Sequence, residues 1–375
     1  MAVDLREKHR RYKIIRERMS AQGLDALIVI NSAQINEKGF VKYLTNYRSI
    51  LYNCVVIFPL DGEARLLVPS PVQKYWAGLL GWIPRVENQV PNLDESLSGS
   101  IRKMGLSKAK LGLINRRIMP AQTYLTLVKE FPDASITDAT AIIEETRMVK
   151  SADEQASVRT TAGLADLSFR VLAGTLKPGV TECDVVAEVD RRLIKEGAED
   201  IFHLVSSEPG SLFPYAPSAR VIEKGDTVMF NTELSGPGGY WIQMIRTVFV
   251  GKPKPDAERM YDVLVEITSK IPGQLKAGRR VGDVAEWVRQ EILAAGFETG
   301  VNFGHCLGLD VVERPIVHVN EETTLEPGMV MTVHPQLVSQ DKGTSVWLGD
   351  TYLITEGPAE ILTKVDPAEV KIIPC

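Results

Sequence analysis

The chain has 375 residues, 44% hydrophobic and 24% charged. That is an ordinary globular balance, which excludes a disordered, collagen-like or membrane-spanning chain. Forty-three Lys and Arg stand against 48 Asp and Glu, a formal net charge of −5, so no cationic surplus exists to hold a nucleic-acid backbone.

The amino terminus is charged from Asp4 onward and lacks the apolar core of a secretory signal. No run of about 18 apolar residues occurs. Cys54, Cys183, Cys306 and Cys375 are far apart, with no Cys-x-x-Cys pair, which argues for a reducing compartment rather than a disulfide scaffold or structural zinc site. The expectation is a cytoplasmic protein with no nucleic-acid or membrane partner.

Over residues 5–22, Leu5, Tyr12, Ile15 and Met19 fall on one stripe and the charges fall elsewhere. This predicts a packed helix with a solvated basic face. Gly23 stops it, and 26–30 reads as a buried strand. Residues 54–58 and 64–68 flank Asp61-Gly62, a hairpin signal. A strand at 111–114, a helix at 120–131 and a short strand at 135–137 follow. Strands alternating with helices predict an α/β domain with a mixed or parallel sheet. An acid-rich helix beginning near Ser151 opens a second domain, so the boundary is expected at 148–151.

The second domain carries an internal duplication. LKPGVTECDVVAEVDRRLIKEG (176–197) and LKAGRRVGDVAEWVRQEILAAG (275–296) align without a gap at an offset of 275 − 176 = 99. Each copy predicts a turn and an amphipathic helix ended by Gly. Matching strands follow, GDTVMFN (225–231) and GMVMTVH (328–334), and then the apolar stretches 241–250 and 345–355. Two similar α+β halves related by a pseudo-two-fold axis are expected, with a site lined by equivalent positions of both.

No dinucleotide-binding glycine motif, P-loop, HExxH, GxSxG or EF-hand loop is present. The duplicated strands instead single out polar residues. Asn231 and His334 each lie six residues after a strand-opening Gly, and alternation places Glu233 with Asn231 and Gln336 with His334. Gln243 lies in the next strand. Such residues inside apolar strands cost roughly 1–3 kcal/mol each unless paired or used. His305, in NFGHCLGLD, is flanked by Gly304 and Gly308, which permit close backbone approach. Of the five histidines, His305 and His334 are the candidates. His9 falls on the first helix, His318 in a loop, and His203 is either a satisfied core residue or part of a Gly/Ser-rich pocket wall.

These segments resemble the pita-bread family of creatinase, prolidase, aminopeptidase P and methionine aminopeptidase. KYLTNYRS (42–49), ETRMVKSADE (145–154), LKPGVTE, EKGDTVMFN, GGYWIQMIRTVFVG, FGHCLGLDVVERP, LEPGMVMTVHP and GDTYLITEG occur in family order. The resemblance implies a creatinase-type α/β N-terminal domain over 1–149 and an α+β pita-bread catalytic domain over 150–375, with the pseudo-two-fold duplication. It also implies a homodimer in which Arg48 reaches the partner's site to neutralise a substrate carboxylate.

Metal-dependent members hold two divalent ions with two Asp, one His and two Glu. The corresponding positions here are Asn231, Gln243, His305, His334 and Gly349, so only the His is kept. Hard cations want carboxylate oxygens, and the expectation is therefore that no cofactor is bound. A single divalent ion on His305, His334 and Glu233 is the alternative. Where creatinase has its catalytic His and two Glu, this chain has Tyr215, Ile245 and Gly349, so creatine is unsupported as substrate.

The expected function is a metal-independent, creatinase-like hydrolase or lyase of a small carboxylated C–N compound. His305, Glu233 and His334 would be catalytic, and Asn231, Gln243, Tyr240, Trp241, Arg48 and Tyr215 would contact substrate. Arg246, on the opposite face from Gln243, is expected to be structural and to pair with Asp350. A metal-dependent Xaa-Pro dipeptidase or aminopeptidase, and a non-catalytic binding module, are the alternatives.

Overall fold

Tyr12, Ile15 and Met19 are buried on one side of the first helix, α1 (Leu5–Ala21), as the apolar stripe requires. The structure, a computed structural model, describes residues 5–339 and 343–374. It divides into two compact units, Met1–Arg147 and Met148–Cys375.

The first unit runs β1 (Ala26–Ile30), α2 (Gly39–Thr45), β2 (Val55–Pro59), β3 (Arg65–Val68), α3 (Pro71–Leu80), β4 (Arg85–Asn88), α4 (Leu93–Lys103), β5 (Lys110–Ile114), α5 (Ala121–Glu130), β6 (Ser135–Asp138) and α6 (Thr140–Met148). Its six-stranded sheet has the order β4-β3-β2-β1-β5-β6. β2 is antiparallel to both β1 and β3, and the outer pairs are parallel, so the sheet is mixed. β1 and β2 are buried throughout, consistent with their unbroken apolar runs.

The second unit opens with α7 (Ala152–Thr175), whose start is fixed by a capping box between Ser151 and Glu154. α8 (Glu182–Lys195), β7 (Asp200–Ser206), β8 (Thr227–Ser235) and β9 (Trp241–Val250) complete one half. The other contains α9 (Pro255–Gln274), α10 (Val281–Ala294), β10 (Asn302–Cys306), β11 (Glu313–His318), β12 (Val330–Val333), β13 (Gln336–Val338), β14 (Ser345–Trp347), β15 (Asp350–Leu353), β16 (Glu360–Ile361) and β17 (Ile372–Ile373).

The duplication is borne out in the backbone. The bounds of α8 and α10 differ by 281 − 182 = 99 and 294 − 195 = 99. Gly179 and Gly278, at φ +94° and +83°, make the same left-handed turn before each helix. One sheet has the order β17-β9-β8-β7 and the other β11-β10-β12-β15-β16. They join where Ile245 and Gly349 exchange backbone hydrogen bonds of 2.9 and 3.0 Å. α9 and α10 cover the second sheet, burying Leu264, Val284, Val288, Met331 and Tyr352 in one core. Among the described residues no helix is long and apolar enough to cross a membrane.

Candidate active site

β8 and β9 pair so that Glu233 lies directly opposite Gln243. Asn231, two residues before Glu233, shares its face. Asn231 Nδ2 donates to Glu233 Oε1 at 2.7 Å, and Gln243 Nε2 donates to the same oxygen at 3.0 Å and to Asn231 Oδ1 at 3.1 Å. The amide orientations follow from this network, since a flipped Asn231 would set an acceptor against the carboxylate. All three side chains are buried. Desolvation outweighs the Asn231 hydrogen bond and pushes the Glu233 carboxyl up to about 7. Gln243 Oε1 is buried with no hydrogen-bond partner among the described residues.

The imidazoles sit on the other sheet. His305 is on β10 opposite Thr332, and His334 directly follows β12. Their ring centroids are 5.7 Å apart. His305 is placed by a very close strand approach: Gly304 has φ +149°, and a Cβ there would lie 2.0 Å from the Thr332 carbonyl oxygen. His305 Nδ1 lies 3.0 Å from the Cys306 carbonyl. A carbonyl only accepts, so Nδ1 carries the proton and Nε2 keeps a lone pair. Burial pushes His305 below its ordinary range. Burial and the neighbouring His305 push His334 down to about 3, so both rings are neutral near pH 7.

Gly349 has no room for a larger side chain. A Cβ there would come 2.5 Å from His334 Cβ and 3.1 Å from its Cα. Behind it, Arg246 Nη2 donates to Asp350 Oδ1 at 2.6 Å, and Arg246 Nη1 donates to the Gly349 carbonyl at 2.8 Å. Arg246 is therefore structural and paired with Asp350, as expected.

A cavity of about 520 Å³ opens beside His334 and is lined also by Trp347, Gln336, Phe303, Val301 and Phe213. Trp347 Nε1 donates to the His334 carbonyl at 2.7 Å, and the two rings meet edge to face at 5.4 Å. Gln336 is in this wall, on the same side as His334. Tyr240 and Trp241 are not among the lining residues: both are buried, and the Tyr240 hydroxyl donates to Glu154 Oε1 at 2.7 Å. They are buried in β9 and the turn before it, and Asn231, Glu233, Gln243 and His305 are likewise absent from the lining of this cavity. Tyr215 is 79% exposed and pairs through its backbone with Val205. Arg48 lies in the first unit, half-buried just after α2. His203 is a core residue, packed on Phe230 with Nε2 3.0 Å from an Asp190 oxygen.

One organising residue escaped sequence reading. The buried Glu182 carboxylate accepts from the backbone N–H and hydroxyl of Ser207 (2.6 and 2.7 Å) and from those of Ser218 (3.0 and 2.7 Å). It thereby ties together the ends of the segment carrying Leu212, Phe213 and Tyr215. Thr181, the capping residue before it, was a legible signal. The long-range partners were not.

Comparison with known proteins assigns the chain. Residues 156–356 match the family described as metallopeptidase family M24, and residues 11–149 match the creatinase/prolidase N-terminal domain. The chain belongs to the M24 family, and so to the hydrolases of C–N bonds. The "Uncharacterized peptidase YqhT" of Bacillus subtilis is 28% identical over 287 residues, 75% of this chain and 80% of that protein. The fold matches an Xaa-Pro dipeptidase from Bacillus anthracis at TM-score 0.83 and 22% identity, covering 97% of this chain and 99% of that one. It also matches the prolidase from Pyrococcus horikoshii OT3 at TM-score 0.83 and 24% identity, covering 94% and 98%. The creatinase-type N-terminal domain and pita-bread C-terminal domain are thereby shown.

Family membership corrects two expectations. The reading as a metal-independent, creatinase-like hydrolase is overturned, because this is a metallopeptidase family whose matching structures are dipeptidases and prolidases. The expectation that no cofactor is needed falls with it. The residues present nevertheless do not fit a pair of divalent ions. Asn231 and Gln243 are neutral amides turned onto Glu233, and Gly349 has neither a carboxylate nor space for one. Hard cations would find too few carboxylate oxygens in this set. Among the described residues no three His, Cys, Asp or Glu side chains are gathered to hold a metal, so the single-ion set of His305, His334 and Glu233 is not formed either.

Proposed function

We propose that the chain is a peptidase of the Xaa-Pro dipeptidase or aminopeptidase type, acting on dipeptide-sized substrates. The observation that carries this reading is the cavity of about 520 Å³ beside His334, at a duplicated strand end in a chain belonging to the M24 family. Its volume lies within the roughly 300–1,000 Å³ usual for small-molecule sites.

Amide hydrolysis requires a proton to leave the attacking water and another to reach the departing nitrogen. Glu233, with its carboxyl near 7, exchanges a proton at neutral pH, held in place by Asn231 and Gln243. His305 offers the unprotonated Nε2 as an acceptor, and His334 is a neutral hydrogen-bonding group at the cavity wall.

A homodimer in the reducing cytoplasm completes the proposal, with Arg48 of one copy meeting the other copy's substrate. Support comes from α3, where Val72, Tyr75, Trp76, Leu79 and Leu80 form an exposed apolar stripe beside exposed Ile50, Leu51 and Tyr52. An uncovered apolar stripe of this kind marks an interaction surface. Cys54, Cys183 and Cys306 are free thiols, and Cys375 lies outside the described residues.

The test is release of free proline from a panel of Xaa-Pro dipeptides, each assayed with chelator and with added Mn²⁺, Co²⁺ or Zn²⁺. Release under any of these conditions supports the proposal. No release under all of them overturns it.

A further inference from the structure

We infer that Lys150 and Glu313 are positioning residues of the candidate active site: their buried ion pair clamps the turn between β10 and β11, and so sets His305 on one sheet against the Glu233–Gln243 pair on the other. The inference deepens the peptidase reading and rests on it for the effect on turnover.

Lys150 is anchored through its backbone. Its N–H donates to the Gly328 carbonyl at 2.9 Å, and its carbonyl accepts from Gln155 Nε2 at 2.9 Å. From this fixed base its Nζ donates to Glu313 Oε2 at 3.0 Å, with the two side chains 1% and 2% exposed. Taking two ions out of water costs much of what their attraction returns, so a pair buried this deeply is weak evidence for stability. Its best-attested use is to fix one arrangement among several.

The arrangement fixed here is that of the 307–312 turn. Gly308 lies flat on the Glu313 carboxylate: a Cβ at 308 would fall 2.3 Å from Oε1 and 2.4 Å from Oε2. Glu313 Oε1 also accepts from the Asp310 N–H at 3.3 Å.

Two routes lead from this carboxylate to the site. Along the first, the Gly308 carbonyl accepts from the Trp241 N–H at 2.8 Å. Trp241 opens β9 two residues before Gln243, which lies opposite Glu233. Along the second, Glu313 is the register partner of Cys306, whose carbonyl accepts from His305 Nδ1. Removing the pair loosens the turn along both routes, so the imidazole loses its fixed partner and its setting against Glu233. A misplacement of about 1 Å caused from outside the chemistry can cost about 10²-fold in rate.

The test is the double variant Lys150→Met/Glu313→Leu, which exchanges the pair for apolar side chains and should fold about as stably as the wild type. Imidazole nitrogen NMR of the histidine-labelled full chain reads the tautomer, with the His305 signal identified by its loss in His305→Gln. The wild type should show a fixed Nδ1–H, and the double variant a signal averaged between the two tautomers. Under conditions in which the wild type cleaves an Xaa-Pro dipeptide, kcat should fall about 10²-fold with KM within about threefold. Gly308→Ala drives a methyl group into the carboxylate without removing a charge and should move both readouts in the same direction. It decides the matter if the double variant does not fold. A folded variant with the wild-type His305 signature overturns the inference, and so does a changed signature with kcat kept within about threefold. If the wild type cleaves no Xaa-Pro dipeptide, the peptidase reading falls and the His305 signature alone decides here.

Discussion

Gln243 donates to Glu233 Oε1 at 3.0 Å across the β8–β9 ladder, while its own Oε1 stays buried and unpartnered among the described residues. The pair holds an acid whose protonation is set by burial. Raised from 4.5 to about 7, Glu233 binds more protons in the folded than in the unfolded chain between those values. Stability from this group is therefore full below about 4.5 and is lost as pH rises through 7, by up to about 3 kcal/mol.

His334, depressed from 6.5 to about 3, acts in the opposite direction, its contribution being lost as pH falls through that window. The two oppose each other between 4.5 and 6.5, so the wild-type profile hides both. The difference in unfolding free energy between wild type and Glu233→Gln separates them. It should move in favour of the variant as pH rises from 4.5 to 7. A flat difference curve would mean that Glu233 is not raised.

The Arg246–Asp350 pair is buried at 2.6 Å, and Asp350 also accepts from Thr363 Oγ1 at 2.6 Å. Asp350→Ala strands the guanidinium and should cost about 3–5 kcal/mol, whereas Thr363→Val should cost about 1. Urea denaturation distinguishes them, and equal costs would contradict this assignment.

Glu182 anchors Ser207 and Ser218 through four hydrogen bonds. Glu182→Ala frees the segment that carries two cavity-wall residues, Leu212 and Phe213. Limited proteolysis should then cut between 208 and 217 much faster than in the wild type, with the rest of the second unit protected. Unchanged cleavage would show that the segment is held by other contacts.

Where the pattern was periodic or repeated, the sequence was legible. The stripe of α1, the paired runs that became β2 and β3, and the constant offset of 99 between α8 and α10 are all found. Strand alternation put Asn231 and Glu233 on one face, and their hydrogen bond bears that out. α2 escaped because all seven of its residues are buried, leaving no polar face to reveal the helical period. The Tyr240 hydroxyl meets Glu154, a partner 86 residues away that no local pattern indicates. The cavity itself combines 212–213, 298–303 and 334–347, segments brought together only by tertiary packing.

Turnover by Glu233→Gln, on whichever Xaa-Pro dipeptide the wild type cleaves best, tests most directly whether this buried carboxyl moves the proton. Gln preserves the size of the side chain and removes its titration. kcat should fall by about 10²-fold or more while the variant remains folded. A folded variant that keeps kcat within about threefold of the wild type, well short of that loss, would contradict it.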